Sequence, residues 1–233
     1  MDDTQTTMKE RLLRVQTHIA QCCEAAGRDA DAVQLLAVSK TFANEQVQQA
    51  HELGLVRFGE NRAQDLRARY EAFVDTGIQW VMIGHTQTNK ARDIARYVHE
   101  LQSLDRLSLA EALERRLQRA ERSLDVLIQI KTAREDSKFG LDPEQLPEFL
   151  QQLKGFSTLR VQGLMTMATQ TDDEDEIRRC FALARQWRDR MRDEGYTDLQ
   201  RLSMGMSGDY EIAIAEGATE VRLGSAIFGA RTY

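Results

Sequence analysis

Lys40 is the residue whose type and setting first suggest chemistry. It ends the apolar run Leu35-Leu36-Ala37-Val38-Ser39, and it is one of only six lysines, with Lys9, Lys90, Lys131, Lys138 and Lys154. The other 25 of the 31 basic residues are arginines, so any reaction that needs a titratable amine has few candidates. At the end of a buried strand an amine is partly withdrawn from water, which lowers its pKa and makes it a nucleophile toward an aldehyde. The alternative at this point is a lysine that reaches from the rim into solvent.

Two turn-rich stretches near the end of the chain suggest an anion. Ser203-Met204-Gly205-Met206-Ser207-Gly208-Asp209 and Leu223-Gly224-Ser225 both follow apolar runs. Small residues there expose backbone N–H groups in a place where phosphate is often held, although tight turns alone would use the same residues. Arg222 lies two residues before Gly224, and a guanidinium pointing into a core needs a ligand or a carboxylate to face. His85, in Ile83-Gly84-His85, reads either as a hydrogen-bonded rim residue or as a base. An amine, a phosphate cradle and an arginine between them describe a holder for a phosphorylated aldehyde. Pyridoxal 5′-phosphate is the obvious candidate, with a Schiff-base lysine, a phosphate anchor and a partner for the ring nitrogen.

These groups need a scaffold, and the chain supplies a regular one. Residues 7–26 read as a helix stopped by Gly27. Strands are then expected at Val33–Ser39, Leu55–Gly59, Ile78–Gly84, Leu101–Leu104, Leu124–Ile130, Leu159–Met167, Leu199–Met204 and Glu220–Phe228. Helices are expected between them, with Asp105 as the N-cap of one and Pro143 in the first turn of another. Strands alternating with helices, with no antiparallel excursion, point to an α/β fold: a single (β/α)8 TIM barrel over residues 1–233, with residues 1–27 as an extra N-terminal helix packing on it. The acidic run Asp172 to Glu176 fits the start of a long helix, where carboxylates oppose the positive end of the dipole.

Composition narrows the function classes. The chain has 233 residues, a net charge of −6, 42% apolar and 29% charged residues. That is the balance of a soluble globular protein. An acidic chain is not expected to bind nucleic acid. No apolar run is long enough to cross a bilayer, and the polar N-terminus does not resemble a secretion signal, so a cytoplasmic location is expected. Cys22, Cys23 and Cys180 make neither a disulfide framework nor a cysteine metal cluster, and no metal site is expected.

The motifs that carry these candidates also resemble a known family. Leu35 to Lys40, Phe58-Gly59-Glu60-Asn61-Arg62, Ile83-Gly84-His85 with Asn89-Lys90, Ser137-Lys138-Phe139-Gly140, Gly163 to Met167, Ser203 to Ser207 and Arg222 to Arg231 look like the pyridoxal phosphate homeostasis proteins. Their barrel is similar to the N-terminal domain of alanine racemases. The resemblance implies that Lys40 is the Schiff-base lysine, that Ser207, Gly224 and Ser225 hold the phosphate, that Arg222 faces the pyridine nitrogen, and that Asn61 lies beside the cofactor. The chain departs from the family pattern at Lys131, where asparagine is usual. It also ends Arg231-Thr232-Tyr233, without the terminal lysines some members carry.

Two function classes follow. One is a non-catalytic carrier that buffers or delivers pyridoxal phosphate to apoenzymes, expected to be a monomer. The other is a small racemase of the alanine racemase fold using the same cofactor, with an aldolase-like barrel as a third reading. An arginine opposite the ring nitrogen keeps that nitrogen unprotonated and weakens the ring as an electron sink. The chain also stops soon after the last strand, without a second domain to cover the site, and an open site favours exchange over chemistry.

Overall fold

The computed structural model describes residues 6–134 and 139–230. In chain order its elements are α1 (Met8–Ala25), β1 (Gln34–Val38), α2 (Asn44–Glu52), β2 (Arg57–Glu60), α3 (Ala63–Ala72), β3 (Gln79–Met82), α4 (Ala91–Tyr97), β4 (Glu100–Leu104) and α5 (Leu107–Arg119). They continue with β5 (Leu124–Gln129), α6 (Leu146–Leu153), β6 (Leu159–Met165), α7 (Glu174–Asp193), β7 (Arg201–Ser203), α8 (Tyr210–Ala215), β8 (Glu220–Leu223) and α9 (Ser225–Phe228). Among the described residues the strands close into a barrel in sequential order, β1 to β8, with every pairing parallel. This is a (β/α)8 barrel. No described helix is long and apolar enough to cross a membrane.

The helices bury one stripe each against the outside of the barrel. On α5 that stripe is Leu109, Ala110, Ala112, Leu113 and Leu117, and on α7 it is Ile177, Cys180, Phe181, Ala184 and Met191. They meet outward-facing strand residues such as Phe58, Trp80, Leu101 and Ile128 in one continuous apolar cluster. The acidic run does open α7: Asp173 caps it by accepting from the backbone N–H of Asp175 and Glu176. Glu176 in the first turn is held down to about 2 by its hydrogen bonds from Arg179. The N-terminal helix α1 buries Met8, Leu12, Val15, Ile19 and Cys23 and packs on α8 and α9.

Several boundaries differ from the sequence expectation. The last strand ends at Leu223 rather than Phe228, because the backbone breaks at Gly224 and the N–H groups of Ile227 and Phe228 turn back to its carbonyl. The apolar residues Ile227 and Phe228 are therefore buried from a helical turn, with Phe228 stacked on Phe42. Asp105 is not a helix cap: α5 starts after Arg106, and the Asp105 carboxylate pairs with the Arg106 guanidinium instead. Strands β3, β6 and β7 are shorter than their apolar runs, and the residues left out range from the buried Ile78 and Leu199 through the half-buried Ile83 and Met167 to the exposed Gln200.

Candidate functional site

Lys40 lies at the C-terminal mouth of the barrel. β1 carries the buried residues Leu36, Ala37 and Val38, and its ladder finishes where the Ser39 N–H donates to the Gly59 carbonyl at 3.0 Å. Lys40 follows at once, half-buried. Next to it Thr41 takes a left-handed backbone, φ +71°, a strained choice for a β-branched residue. The surroundings hold that turn. The Phe42 N–H donates to the Ser39 carbonyl at 3.1 Å. The Arg69 guanidinium of α3 donates to the carbonyls of Ser39 and Phe42. Glu60, buried at the end of β2, accepts from the Ser39 hydroxyl at 2.7 Å and pairs with Arg69 at 3.3 Å. Burial pushes the Glu60 carboxyl up, against the pull of Ser39 and Arg69.

Arg222 points from β8 into the barrel and is 4% exposed. Its guanidinium donates to the Ser203 hydroxyl at 2.9 Å and the Thr166 carbonyl at 2.8 Å. Burial pushes its pKa down, partly opposed by Glu220 and Asp209. Below it, toward the strand starts, lies a group the sequence did not reveal. Arg57 pairs with Glu100 at 2.8 Å and Glu220 at 2.6 Å. Arg201 pairs with Glu100 at 2.6 Å and Glu220 at 2.9 Å. Gln102 donates to both glutamates, and Ser203 shares its proton between the Gln102 and Glu220 oxygens. Burial alone would raise the Glu220 carboxyl, but Arg57 and Arg201 outweigh it and hold it low. Two arginines and two glutamates thus fill the end of the barrel where branched apolar side chains are usual.

The remaining candidates sit on three turns around the mouth. Asn61 follows β2 and presses against Gly84 after β3: a Cβ on Gly84 would lie 2.0 Å from the Asn61 carbonyl oxygen and 2.6 Å from its Oδ1. Only glycine admits that approach. Ser207 stands on the turn after β7, where Gly205 has φ +96° and its carbonyl accepts from the Arg222 N–H at 3.0 Å. Asp209 closes that turn by accepting from the Met206 N–H at 2.6 Å. Gly224 and Ser225 form the break after β8, close against β1, where a Cβ on Gly224 would lie 3.2 Å from the Val38 carbonyl.

Lys40, Asn61, Ser207, Arg222, Gly224 and Ser225 all line one cavity of about 140 Å³. Its remaining walls are apolar: Val38, Phe42, Ile83, Met165, Met167 and Met206. The structure therefore brings together six residues from five separate turns and strands. Other candidates lie elsewhere. His85 stacks on Phe139 with ring centres 3.8 Å apart, has Nδ1 3.6 Å from Asp105, and does not line the cavity. Lys131 is exposed after β5. Ser137, Lys138 and the terminal Arg231 to Tyr233 lie outside the described residues. A larger cavity, about 660 Å³, is lined by Leu153, Phe156, Tyr196 and Gln200 at the opposite end of the barrel, the end associated with stability rather than chemistry.

Comparison with known proteins accords with this geometry. Residues 12–232 match the family described as alanine racemase, N-terminal domain. A pyridoxal phosphate homeostasis protein of Aquifex aeolicus is 39% identical over 224 residues, covering 96% of this chain and 98% of that protein. The chain belongs to the pyridoxal phosphate homeostasis protein family. Another member, from Pseudomonas aeruginosa, is 39% identical over 228 residues, covering 98% of this chain and 97% of its own. Among solved structures, PipY of Synechococcus elongatus with pyridoxal phosphate bound superposes with a TM-score of 0.85 at 32% identity. The match covers 96% of this chain and all of that one. The charged group of Arg57, Glu100, Arg201 and Glu220 had one readable signal. Each stands two residues before an inward position of its strand, Gly59, Gln102, Ser203 and Arg222.

Proposed function

We propose that this chain is a non-catalytic pyridoxal 5′-phosphate carrier that buffers the cofactor and delivers it to apoenzymes in the cytoplasm, as a one-domain monomer spanning residues 1–233. The observation that carries the reading is the convergence of Lys40, Arg222 and the Ser207 and Gly224–Ser225 turns on one cavity at the barrel mouth. The residues present fit the cofactor. A half-buried amine stands at the rim, a buried guanidinium forms the wall, and two hydroxyls flank backbone that a Cβ would crowd.

Bound there, pyridoxal phosphate supplies an aldehyde carbon and, in enzymes, an electron-withdrawing ring. The chain's own residues would do the following. Lys40 offers its amine to the aldehyde from the rigid end of β1. Ser207, Ser225 and the Gly224 backbone take the phosphate oxygens. Arg222, fixed by Ser203 and Thr166, presents positive charge to the ring nitrogen and so disfavours a proton there. Asn61 lies along the cofactor's flank. Apart from Lys40 and Arg222, the lining is hydroxyl, amide, thioether and hydrocarbon. Reversible attachment needs nothing more, whereas removing and returning a proton on both faces of an amino acid calls for a second base. That balance supports carriage over racemisation.

The test is a paired assay on the loaded protein. Alanine, serine and lysine of either hand should be recovered unchanged, while a cofactor-free enzyme mixed with the loaded protein regains activity. Racemisation or decarboxylation that vanishes in Lys40→Ala would restore the enzyme reading.

A further inference from the structure

Outside the barrel mouth, one surface cluster has the composition of a metal site. His18 and Cys22 are four residues apart on α1, so they share a face. Glu211, in the first turn of α8, meets them: one ligand atom from each of His18, Cys22 and Glu211 lies within 4.8 Å of the others. A tetrahedral zinc ion with bonds of about 2.0–2.3 Å holds its ligands roughly 3.3–3.8 Å apart, so closure needs movements of about 1 Å. The side chains have room for it, since His18 is 43% and Glu211 63% exposed.

Two independent features preorganise the cluster. The first is the histidine's orientation. His18 Nδ1 is 2.5 Å from the Tyr210 hydroxyl, while Nε2 faces Glu211 at 3.8 Å. A metal-binding histidine characteristically gives its second ring nitrogen to an outer partner, which fixes the tautomer and aims the other nitrogen. With the proton on Nδ1 donated to the Tyr210 oxygen, the Nε2 lone pair is left for a ligand on the Glu211 side. The second feature is the anchoring of α1. Arg28 donates to the carbonyls of Ile214 at 2.8 Å and Ala218 at 2.7 Å, at the end of α8. Arg11 donates to the Ile227 carbonyl at 2.8 Å in α9. Arg28 thus ties the end of α1 to the end of α8, and Arg11 holds the other end of α1 against α9.

We propose that His18, Cys22 and Glu211 bind one divalent cation of the zinc class, with water in the fourth position. A nitrogen, a sulfur and an oxygen suit zinc or cobalt(II) and disfavour magnesium and calcium, which take oxygen ligands. The charges balance: a thiolate and a carboxylate neutralise the ion, and the Cys22 proton passes to solvent as the sulfur–metal bond forms. The ion would cross-link α1 to the start of α8, directly after the Ser207–Asp209 turn at the barrel mouth.

The experiment titrates the reduced full-length chain with cobalt(II) chloride in the absence of air. One equivalent should produce a sulfur-to-cobalt charge-transfer band in the near ultraviolet, displaced by zinc. Cys22→Ser, at a half-buried position, should lose that band. Glu211→Gln should bind more weakly, and Tyr210→Phe about tenfold more weakly. Zinc should raise the thermal midpoint of the natural sequence but not of Cys22→Ser. A titration without a sulfur band, or a band that survives intact in Cys22→Ser, overturns the site.

Discussion

The Arg222 guanidinium and the Ser203 hydroxyl, 2.9 Å apart, join the cavity at the barrel mouth to the charged group at its other end. Ser203 hands the connection down to Glu220 at 2.9 Å, and Glu220 is gripped by Arg57 and Arg201. The position of one cavity residue therefore rests on an ion-pair network that reaches across the barrel to β4. A buried guanidinium is tolerable here because its hydrogen bonds and the nearby Glu220 charge compensate for lost water. The same contacts leave Arg222 little freedom to turn, so its charge is presented to the cavity in a fixed direction.

Lys40 is expected to be the only residue that takes up the cofactor covalently. After loading with pyridoxal phosphate, borohydride reduction and digestion, the added mass should appear on the peptide containing Lys40. Label on Lys131 or Lys138 with Lys40 unmodified would refute the assignment.

Much of the scaffold could be read from the chain, and the reasons are particular. The helix stop at Gly27 was visible: it directly follows the cap of α1 and has φ +67°. Apolar runs such as Leu124–Ile130 marked strands because parallel strands covered by helices are apolar on both faces. The last strand was overextended because Ile227 and Phe228 are as apolar in a helical turn as in a strand, and only the break at Gly224 separates them. The mouth residues could be named because strand ends collect function in this fold. The charged group was missed: Arg57, Glu100, Arg201 and Glu220 each stand at a strand start, where a charge ordinarily reads as solvated, and only their two-residue spacing from inward positions marks them. Nor did local sequence pair Glu60 with Arg69, since that contact depends on how α3 folds back over β1 and β2.

Gly84 and Gly208 provide a matched steric test of the mouth. Gly84→Ala places a methyl 2.0 Å from a backbone oxygen of Asn61, which must move. The expected loss is about 3 kcal/mol or more in chemical unfolding, together with weaker cofactor binding through the displaced Asn61. A methyl on Gly208 would meet nothing within 4 Å, and the backbone there has no positive φ, so Gly208→Ala should stay within about 0.5 kcal/mol. Equal effects at the two positions would contradict the packing described for Asn61.

Arg69 should act on the amine without touching the phosphate. It binds the Ser39 and Phe42 carbonyls on either side of Lys40 and the strained Thr41. In Arg69→Met the turn loses its clamp, so affinity for pyridoxal phosphate should fall about tenfold, or about 1.4 kcal/mol. Affinity for pyridoxine 5′-phosphate, an alcohol that cannot react with an amine, should be unchanged. That unchanged value also certifies the fold. A parallel loss for both ligands would make Arg69 a general stability residue.

Glu220 should set the acid limit of stability. Burial raises its carboxyl, but Arg57 and Arg201 more than compensate, so the folded pKa lies below the ordinary carboxylate range. For a depressed carboxyl the stabilisation is complete above the unfolded value and disappears as pH falls through the lower folded value. At neutral pH, Glu220→Gln leaves Arg57 and Arg201 each with one buried partner fewer, a loss of about 3–5 kcal/mol. Urea unfolding of both proteins at about pH 7 and at successive steps below about pH 4 should show that difference shrinking, because protonation gives the natural chain the neutral group the variant already has. A difference that stays constant down to the acid transition would mean that the Glu220 charge is not what holds this end of the barrel together.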